Sequence, residues 1–226
     1  MGAGSGAKIT RRLFLSVCGV LSFGGRALAE ASAPPRLVLL PLGTELDDAS
    51  VTFVKRCLEA FYDFSVDVLP RQAVPRTTYY AARKRYRAEK LLDFLERQVP
   101  ANAARIVGLT AVDISTTKGK VFDWGVLGLA TIDGKVGILS SFRCRRGTKA
   151  TEEALVRYGK VAVHEVGHTL GLEHCPTLGC LMEDAQGTVV TTDREYDLCP
   201  KCRSRLRELG REALRNPKIP WPRPNQ

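Results

Sequence analysis

Residues 164–174 read His-Glu-Val-Gly-His-Thr-Leu-Gly-Leu-Glu-His and contain all three histidines of the 226-residue chain. Met182, the one methionine besides Met1, follows the last of these histidines. Four of the seven cysteines also follow, at positions 175, 180, 199 and 202. Residue types that bind metal ions are therefore concentrated in one region, which indicates a metal centre there.

The spacing of the histidines predicts a three-nitrogen metal site that begins on a helix. Thr151 is expected to cap this helix, which runs on through His164. His164 and His168 are four residues apart, so they share a helix face and can hold one ion. Gly171 can adopt the left-handed conformation that ends a helix. The chain can then turn back, so that His174 supplies the third nitrogen.

Glu165 is the predicted catalytic residue. Three imidazoles leave one position of a tetrahedral Zn²⁺ for water, and zinc lowers the pKa of that water to about 7. Glu165 lies about 100° round the helix from His164. It is expected to act as the general base in peptide-bond hydrolysis and to pass the proton to the leaving amine. Two alternatives remain, an exported zinc-binding module without catalysis and a metal-scavenging protein, and neither of them needs Glu165.

The cysteines predict a second, structural zinc site. Cys175 and Cys180 form one close pair, and Cys199 and Cys202 form a second with the two-residue spacing that is typical of zinc sites. The alternative is two disulfides, which would suit an exported protein. Three cysteines remain: Cys18 lies near the N-terminus, Cys57 is expected in the core, and a disulfide between Cys57 and Cys144 stays open.

The whole pattern, H-E-x-x-H-x-x-G-x-x-H-C-x4-C-x-M followed by C-x2-C, resembles that of the archaemetzincins, a family of metzincin-clan zinc peptidases. The resemblance implies a compact peptidase with one catalytic and one structural zinc, acting on peptides or proteins. It implies that Met182 is the Met-turn residue beneath the catalytic zinc, and that some relatives behave as aminopeptidases. In metzincins a strand at the sheet edge holds the substrate, and part of 124–142 is expected to be that strand.

The N-terminus resembles an export signal. Lys8, Arg11 and Arg12 precede an apolar run over 13–23, and an Ala-x-Ala processing site follows at 27–29. Residues 10–15 resemble a twin-arginine signal, which exports folded proteins; an ordinary secretory signal is the alternative. We therefore expect residues 1–29 to be removed and the mature protein to be periplasmic or secreted, with no stable membrane anchor. If the leader is not a functional signal, the protein is expected in the cytoplasm.

The net charge favours a soluble protein over a nucleic-acid-binding one. Residues 1–29 contain four basic residues and no acidic residue, so their removal lowers the net charge from +10 to +6. A monomer is expected. The basic segment 71–90 is interpreted as a solvated helix face, with a substrate-steering or anion-binding patch as the alternative.

The apolar pattern predicts an α/β (α+β) fold: one metzincin-like domain over 30–216, followed by a proline-rich tail over 217–226. The N-terminal half is expected to hold a mixed, mostly parallel sheet with an edge hairpin. The C-terminal half is expected to be mostly helical around the active-site helix. Predicted strands are 36–42, 65–69, 104–114, 121–130 and 135–142, and further helices begin at Asp47 and cover 80–98 and 203–216.

Overall fold

The computed structural model describes residues 1–2, 33–210 and 217–223. Residues from Ala33 onward form one compact unit. The predicted export signal lies outside the described residues, apart from the first two positions. Within the described part of the chain, no helix combines the length and apolarity that a membrane span requires.

The chain forms nine strands and five α-helices over its described residues. The strands are β1 (Arg36–Leu42), β2 (Ser65–Val68), β3 (Tyr79–Tyr80), β4 (Arg85–Arg87), β5 (Arg105–Thr110), β6 (Ile114–Lys118), β7 (Val121–Val126), β8 (Gly128–Ala130) and β9 (Val136–Ser140). The helices are α1 (Asp48–Phe61), α2 (Ala88–Glu96), α3 (Thr151–Thr169), α4 (Val189–Arg194) and α5 (Pro200–Glu208).

The main sheet has the strand order β2-β1-β5-β9-β8. Its first four strands are parallel, and β8 is antiparallel at the edge. Strand β1 is buried on both faces, as is usual for the centre of a parallel sheet. Leu37 and Leu39 pack in the core that contains α1 and α3, whereas Val38 and Leu40 pack with α2. The mixed, mostly parallel sheet with an edge hairpin is confirmed.

The edge hairpin also contacts the histidine helix. Residues 128–130 pair with β9, and the turn between them contains Asp133 at a φ of 52°. The Asp133 N–H donates to the carbonyl oxygen of His168 at 2.9 Å. The hairpin turn is therefore fixed against the end of α3.

A second, four-stranded sheet corrects three of the predicted elements. Strands β3, β4, β6 and β7 form it. The helix expected over 80–98 begins only at Ala88, because the residues before it belong to β3, a short 3-10 turn and β4. The strand expected over 104–114 ends at Thr110 as β5, and β6 of the second sheet begins at Ile114. The strand expected over 121–130 divides into β7 and β8, which lie in different sheets.

Ion pairs explain why the part of the basic segment around Arg85 forms a strand instead of a helix face, whereas Arg83, Lys84 and Lys90 are exposed as expected. Arg85 on β4 bonds to Asp113 at 2.8 Å and to Asp123 at 2.7 Å, and Arg143 bonds to Asp113 from the other side. Arg87 is buried, and its guanidinium lies 4.0 Å from the centroid of the Phe122 ring. These arginines hold the second sheet together, and their partners are distant in sequence.

The C-terminal region packs back on the domain. Helix α5 begins at Pro200 and ends at Glu208, whereas the expected helix covered 203–216. Residues 211–216 of that expected helix lie outside the described residues. In the tail, Trp221 is buried and stacks on Phe61 with ring centroids 5.2 Å apart. The Trp221 indole N–H donates to the carbonyl oxygen of Tyr196 at 3.0 Å. This part of the tail therefore contributes to the core.

Candidate active site

Helix α3 positions the first two histidines and Glu165. Thr151 is its first residue rather than its cap, since Ala150 holds the cap position and makes no side-chain cap bond. The helix ends at Thr169, and Gly171 follows at a φ of 92°. Arg105 bonds the Thr169 hydroxyl at 3.0 Å and its carbonyl oxygen at 3.1 Å. A buried cation thus stabilises the helix end, where the chain reverses.

The three histidines form a compact donor group. One nitrogen from each of His164, His168 and His174 lies within 4.8 Å of the others. Nδ1 of His164 donates to the Leu181 carbonyl oxygen and Nδ1 of His168 to that of Leu172, each at 2.7 Å. A neutral ring that donates from Nδ1 carries a lone pair on Nε2. The His164 and His168 Nε2 atoms are nonetheless only 2.9 Å apart.

This arrangement fits a metal cation. Two lone pairs repel at such a distance unless a positive ion lies between them. Burial lowers the pKa of His164 to about 3 and also lowers that of His168, so both rings are neutral at pH 7, which is the form that binds zinc. Carbonyl partners on the second nitrogen are the usual supports of metal-binding histidines.

Glu165 lies beside this group in a buried position. Within the described part of the chain its carboxyl group accepts no hydrogen bond, and burial raises its pKa to about 8. The carboxyl faces Gly128 on the edge strand β8, where a Cβ atom would lie only 2.3 Å from Glu165 Oε1. A glycine at position 128 therefore leaves the space that the carboxyl occupies, a role that was not predicted from the sequence.

Met182 packs beneath the helix that carries the histidines. It is fully buried, and a Cβ atom at Gly167 would lie 2.5 Å from its sulfur. The Met182 carbonyl oxygen accepts a hydrogen bond from the Cys175 N–H at 2.7 Å. The turn that contains Met182 is thereby joined to the segment just after His174.

The four cysteines after the histidines meet at one point as unbonded thiols. Their sulfurs lie within 4.8 Å of one another, and the Cys175–Cys199 and Cys180–Cys202 pairs are each 3.7 Å apart. A tetrahedron with zinc–sulfur bonds of about 2.3 Å has an edge of about 3.8 Å, whereas a disulfide bond is about 2.05 Å long. The structure therefore favours a four-thiolate metal site over two disulfides.

Backbone contacts tie the two donor groups together. The contact with Cys202 lowers the pKa of the Cys180 thiol, and the N–H groups of Cys199 and Met182 add to this by donating to the Cys180 sulfur. These donors favour the thiolate, which is the form that binds zinc. Leu181 directly follows Cys180, and its carbonyl oxygen accepts the hydrogen bond that orients His164. The segment that carries a cysteine of one group therefore also positions a histidine of the other.

Cys57 and Cys144 are buried free thiols in the hydrophobic core. Cys57 lies against Gly159 of α3, where a Cβ atom would come within 2.7 Å of its sulfur. Burial raises the pKa of both thiols, that of Cys144 to about 12. They are packing residues here, and no disulfide joins them.

The histidines and Glu165 open into a cleft of about 560 Å³. The edge strand β8 lines one side, and its sequence neighbours Trp124 and Val126 also contribute. The substrate strand was expected in part of 124–142. Of this segment, the residues around β8 line the cleft, whereas β9 lies inside the main sheet, between β5 and β8.

The cleft also contains an acid that the sequence analysis missed. Glu195 lines it and is only 3% exposed, and burial raises the pKa of its carboxyl to about 9. It directly follows α4, a six-residue helix that is too short to show an apolar period. Three further acids line the cleft, Glu165, Glu173 and Asp184.

Comparisons with known proteins agree with this geometry. The model of peptidase family M54 matches residues 64–208. The archaemetzincin of Natronomonas pharaonis is 30% identical over 156 residues, which cover 66% of this chain and 87% of that protein. The crystal structure of archaemetzincin from Methanopyrus kandleri has a TM-score of 0.68 and 30% identity, and covers 80% of this chain and 98% of that one.

The crystal structure of the Archaeoglobus fulgidus archaemetzincin, complexed with malonate, has a TM-score of 0.63 and 32% identity. It covers 75% of this chain and 98% of that one. The family model matches more than half of this chain. The chain therefore belongs to peptidase family M54, the archaemetzincins, and is a zinc metallopeptidase.

Proposed function

We propose that His164, His168 and His174 bind the catalytic zinc and that Glu165 is the general base in the hydrolysis of peptide bonds. The observation that carries this proposal is the pair of Nε2 atoms that face each other at 2.9 Å while the Nδ1 atom of each ring lies 2.7 Å from a carbonyl oxygen. Zinc bound there would lower the pKa of a water molecule and polarise the substrate carbonyl.

Glu165 has the environment that a general base needs. Its carboxyl group has no hydrogen-bond partner among the described residues, so it is free to accept a proton from water and deliver it to the leaving amine. Burial favours its protonated form, whereas a cation held by the imidazoles would favour the ionised one. The two opposing effects on the pKa of Glu165 would suit a group that both accepts and donates a proton.

Strand β8 is the proposed binding strand for an extended substrate. It pairs with β9 on one side and lies at the edge of the sheet on the other. It also lines the cleft next to Glu165. The free backbone groups of an edge strand can pair with a peptide, which would then lie across the histidine group.

A second, structural zinc is proposed at the four cysteines, Cys175, Cys180, Cys199 and Cys202. Its support is the 3.7 Å spacing of the sulfurs and the backbone N–H groups aimed at Cys180. An ion there would hold the loop that carries His174 and Met182, and would bring the total to two zinc ions per chain.

Export by the twin-arginine route is proposed for the leader, residues 1–29. A four-thiolate site is best loaded in the reducing cytoplasm, and this route transports folded proteins. The test is expression of wild type and of a variant with Arg11→Lys and Arg12→Lys. Wild type should appear in the periplasm starting near Glu30, and the variant should stay unprocessed inside the cell. Wild type that keeps Met1 in the cytoplasm would disprove export.

The enzymatic proposal is tested by profiling a mixed peptide library with the zinc-loaded protein. Cleavage products are expected, they should vanish with a chelator, and they should return when zinc is restored. Zinc-loaded, folded protein that cleaves no member of the library would refute the proposal. A monomer is expected by size-exclusion chromatography of the same sample.

A further inference from the structure

Glu195 is a buried acid in the cleft that the hydrolytic reaction does not use. It is 3% exposed, and yet its carboxyl accepts no hydrogen bond and forms no ion pair within the described part of the chain. A buried carboxyl normally has such partners, because its desolvation is otherwise uncompensated. It also lines the space into which substrate must enter.

Lys160, the cation with the largest electrostatic effect on Glu195, is engaged elsewhere. Its ammonium group donates to the Thr192 carbonyl oxygen at 2.8 Å and lies 3.4 Å from that of Asp193. Lys160 is itself buried and close enough to favour the ionised form of Glu195, but burial outweighs it. Lys160 therefore holds the end of α4 against α3 and leaves the Glu195 carboxyl without a direct partner.

Glu195 shares the cleft with the histidine group. Lys160 precedes His164 by four residues, which is about one helical turn or roughly 6 Å along α3. Val161, on the same turn as Lys160, lines the cleft together with Glu195 and His164. A substrate group next to the scissile bond can thus reach this end of the cleft.

The lining of the cleft holds more acidic than basic side chains. Four acids line it, while its one lysine, Lys118, pairs with the acid Asp184 at 3.3 Å. Burial keeps the Glu195 carboxyl protonated in the free protein. A cationic ligand beside it would favour the ionised form, with the proton released to solvent, and would supply the partner that the carboxyl lacks.

We propose that Glu195 binds a cationic group of the substrate, and that the enzyme therefore selects peptides with such a group beside the scissile bond. This inference rests on the proposed peptidase function. The group is either a lysine or arginine side chain or the free α-amino group of the peptide. Either one supplies the charge and the hydrogen bonds that the buried carboxyl lacks.

The test uses two pairs of peptides with otherwise identical sequences. The first pair carries lysine or the uncharged norleucine beside the scissile bond, and the second has a free or an acetylated N-terminus. A charge-assisted hydrogen bond should raise kcat/KM about tenfold or more for the cationic member of one pair. The peptide pair whose cationic member has the higher kcat/KM identifies the cationic group that the enzyme recognises. A zinc-loaded wild type that prefers neither cationic peptide would overturn the inference.

Variants then assign the preference to Glu195. Glu195→Gln should bring the kcat/KM ratio of the responding pair close to one. Glu173→Gln removes the same charge from an exposed position in the same cleft, and should keep the ratio. An unchanged ratio in zinc-loaded, folded Glu195→Gln would overturn the assignment.

The comparison of the peptide pairs with wild-type enzyme tests the cationic preference even where Glu195→Gln misfolds. It also separates this inference from the peptidase function. Cleavage of the neutral peptides without a preference refutes only the role of Glu195, whereas cleavage of no peptide refutes the function as well.

Discussion

Replacing Gly128 with alanine tests whether the position of the Glu165 carboxyl controls catalysis. The added Cβ atom would lie 2.3 Å from Oε1 of Glu165 and 2.6 Å from both Cδ and Cγ. Favourable contacts between such atoms begin at about 3.5 Å, so the overlap is roughly 1 Å. Because Cγ is approached as closely as Cδ, rotation of the carboxyl group alone does not relieve it. Either the Glu165 side chain or strand β8 must move.

A displacement of about 1 Å in a catalytic group can lower the rate about 100-fold. Overpacking of this kind also costs about 1–3 kcal/mol of stability. The assay is kcat/KM on one peptide substrate with zinc-loaded Gly128→Ala, with its zinc content measured in parallel. We expect zinc binding to persist while kcat/KM falls about 100-fold.

The matched control is Gly137→Ala on the neighbouring strand β9. There the added Cβ atom would lie 3.4 Å from Cβ of Ala130 and 3.8 Å from Cβ of Glu165, which are ordinary contacts. This variant should remain close to wild type in activity. A Gly128→Ala enzyme as active as Gly137→Ala would refute the role given to the carboxyl position.

Three further predictions concern the supports of the site. Gly167→Ala should lower the free energy of unfolding by about 1–3 kcal/mol in a denaturant titration, because its Cβ atom would lie 2.5 Å from the Met182 sulfur. Cys199→Ser should lower the zinc content from two ions per chain to one and lower Tm, as measured by metal analysis and thermal unfolding; an unchanged zinc content would contradict the four-cysteine site. Glu195 stays protonated in the folded state up to about pH 9 but ionises near 4.5 when unfolded, so wild type should lose stability relative to Glu195→Gln as pH rises through that window. The difference in the free energy of unfolding between the two zinc-loaded proteins should grow by up to about 1.4 kcal/mol per pH unit. If the two proteins show the same dependence of stability on pH, the buried position of the carboxyl is contradicted.

The sequence was most informative where the relevant contacts are local. His164 and His168 are one helical turn apart, and Gly171 marks the point at which α3 ends and the chain returns. Cys199 and Cys202 lie on either side of Pro200 at the start of α5. In each case the spacing along the chain fixes the spacing in space, so these groups could be expected from the pattern alone.

Elements that depend on distant partners were not predictable in the same way. The segment around Arg85 has a helix-like composition but forms a strand, because Asp113 and Asp123 pair with it from other strands. Glu195 has no motif around it, and its burial arises only when α4 packs on α3. Gly128 did carry a signal, since a glycine within an apolar strand often marks a close approach of another group.

Glu165→Gln tests the central claim most directly, because glutamine keeps the size of the side chain and removes its ability to accept a proton. Zinc content, Tm and cleavage of the best library peptide are measured on the same preparation. We expect zinc content and Tm to match wild type, and kcat/KM to fall about 100- to 10,000-fold. A zinc-loaded Glu165→Gln protein that cleaves the peptide at the wild-type rate would contradict the role of Glu165 as general base.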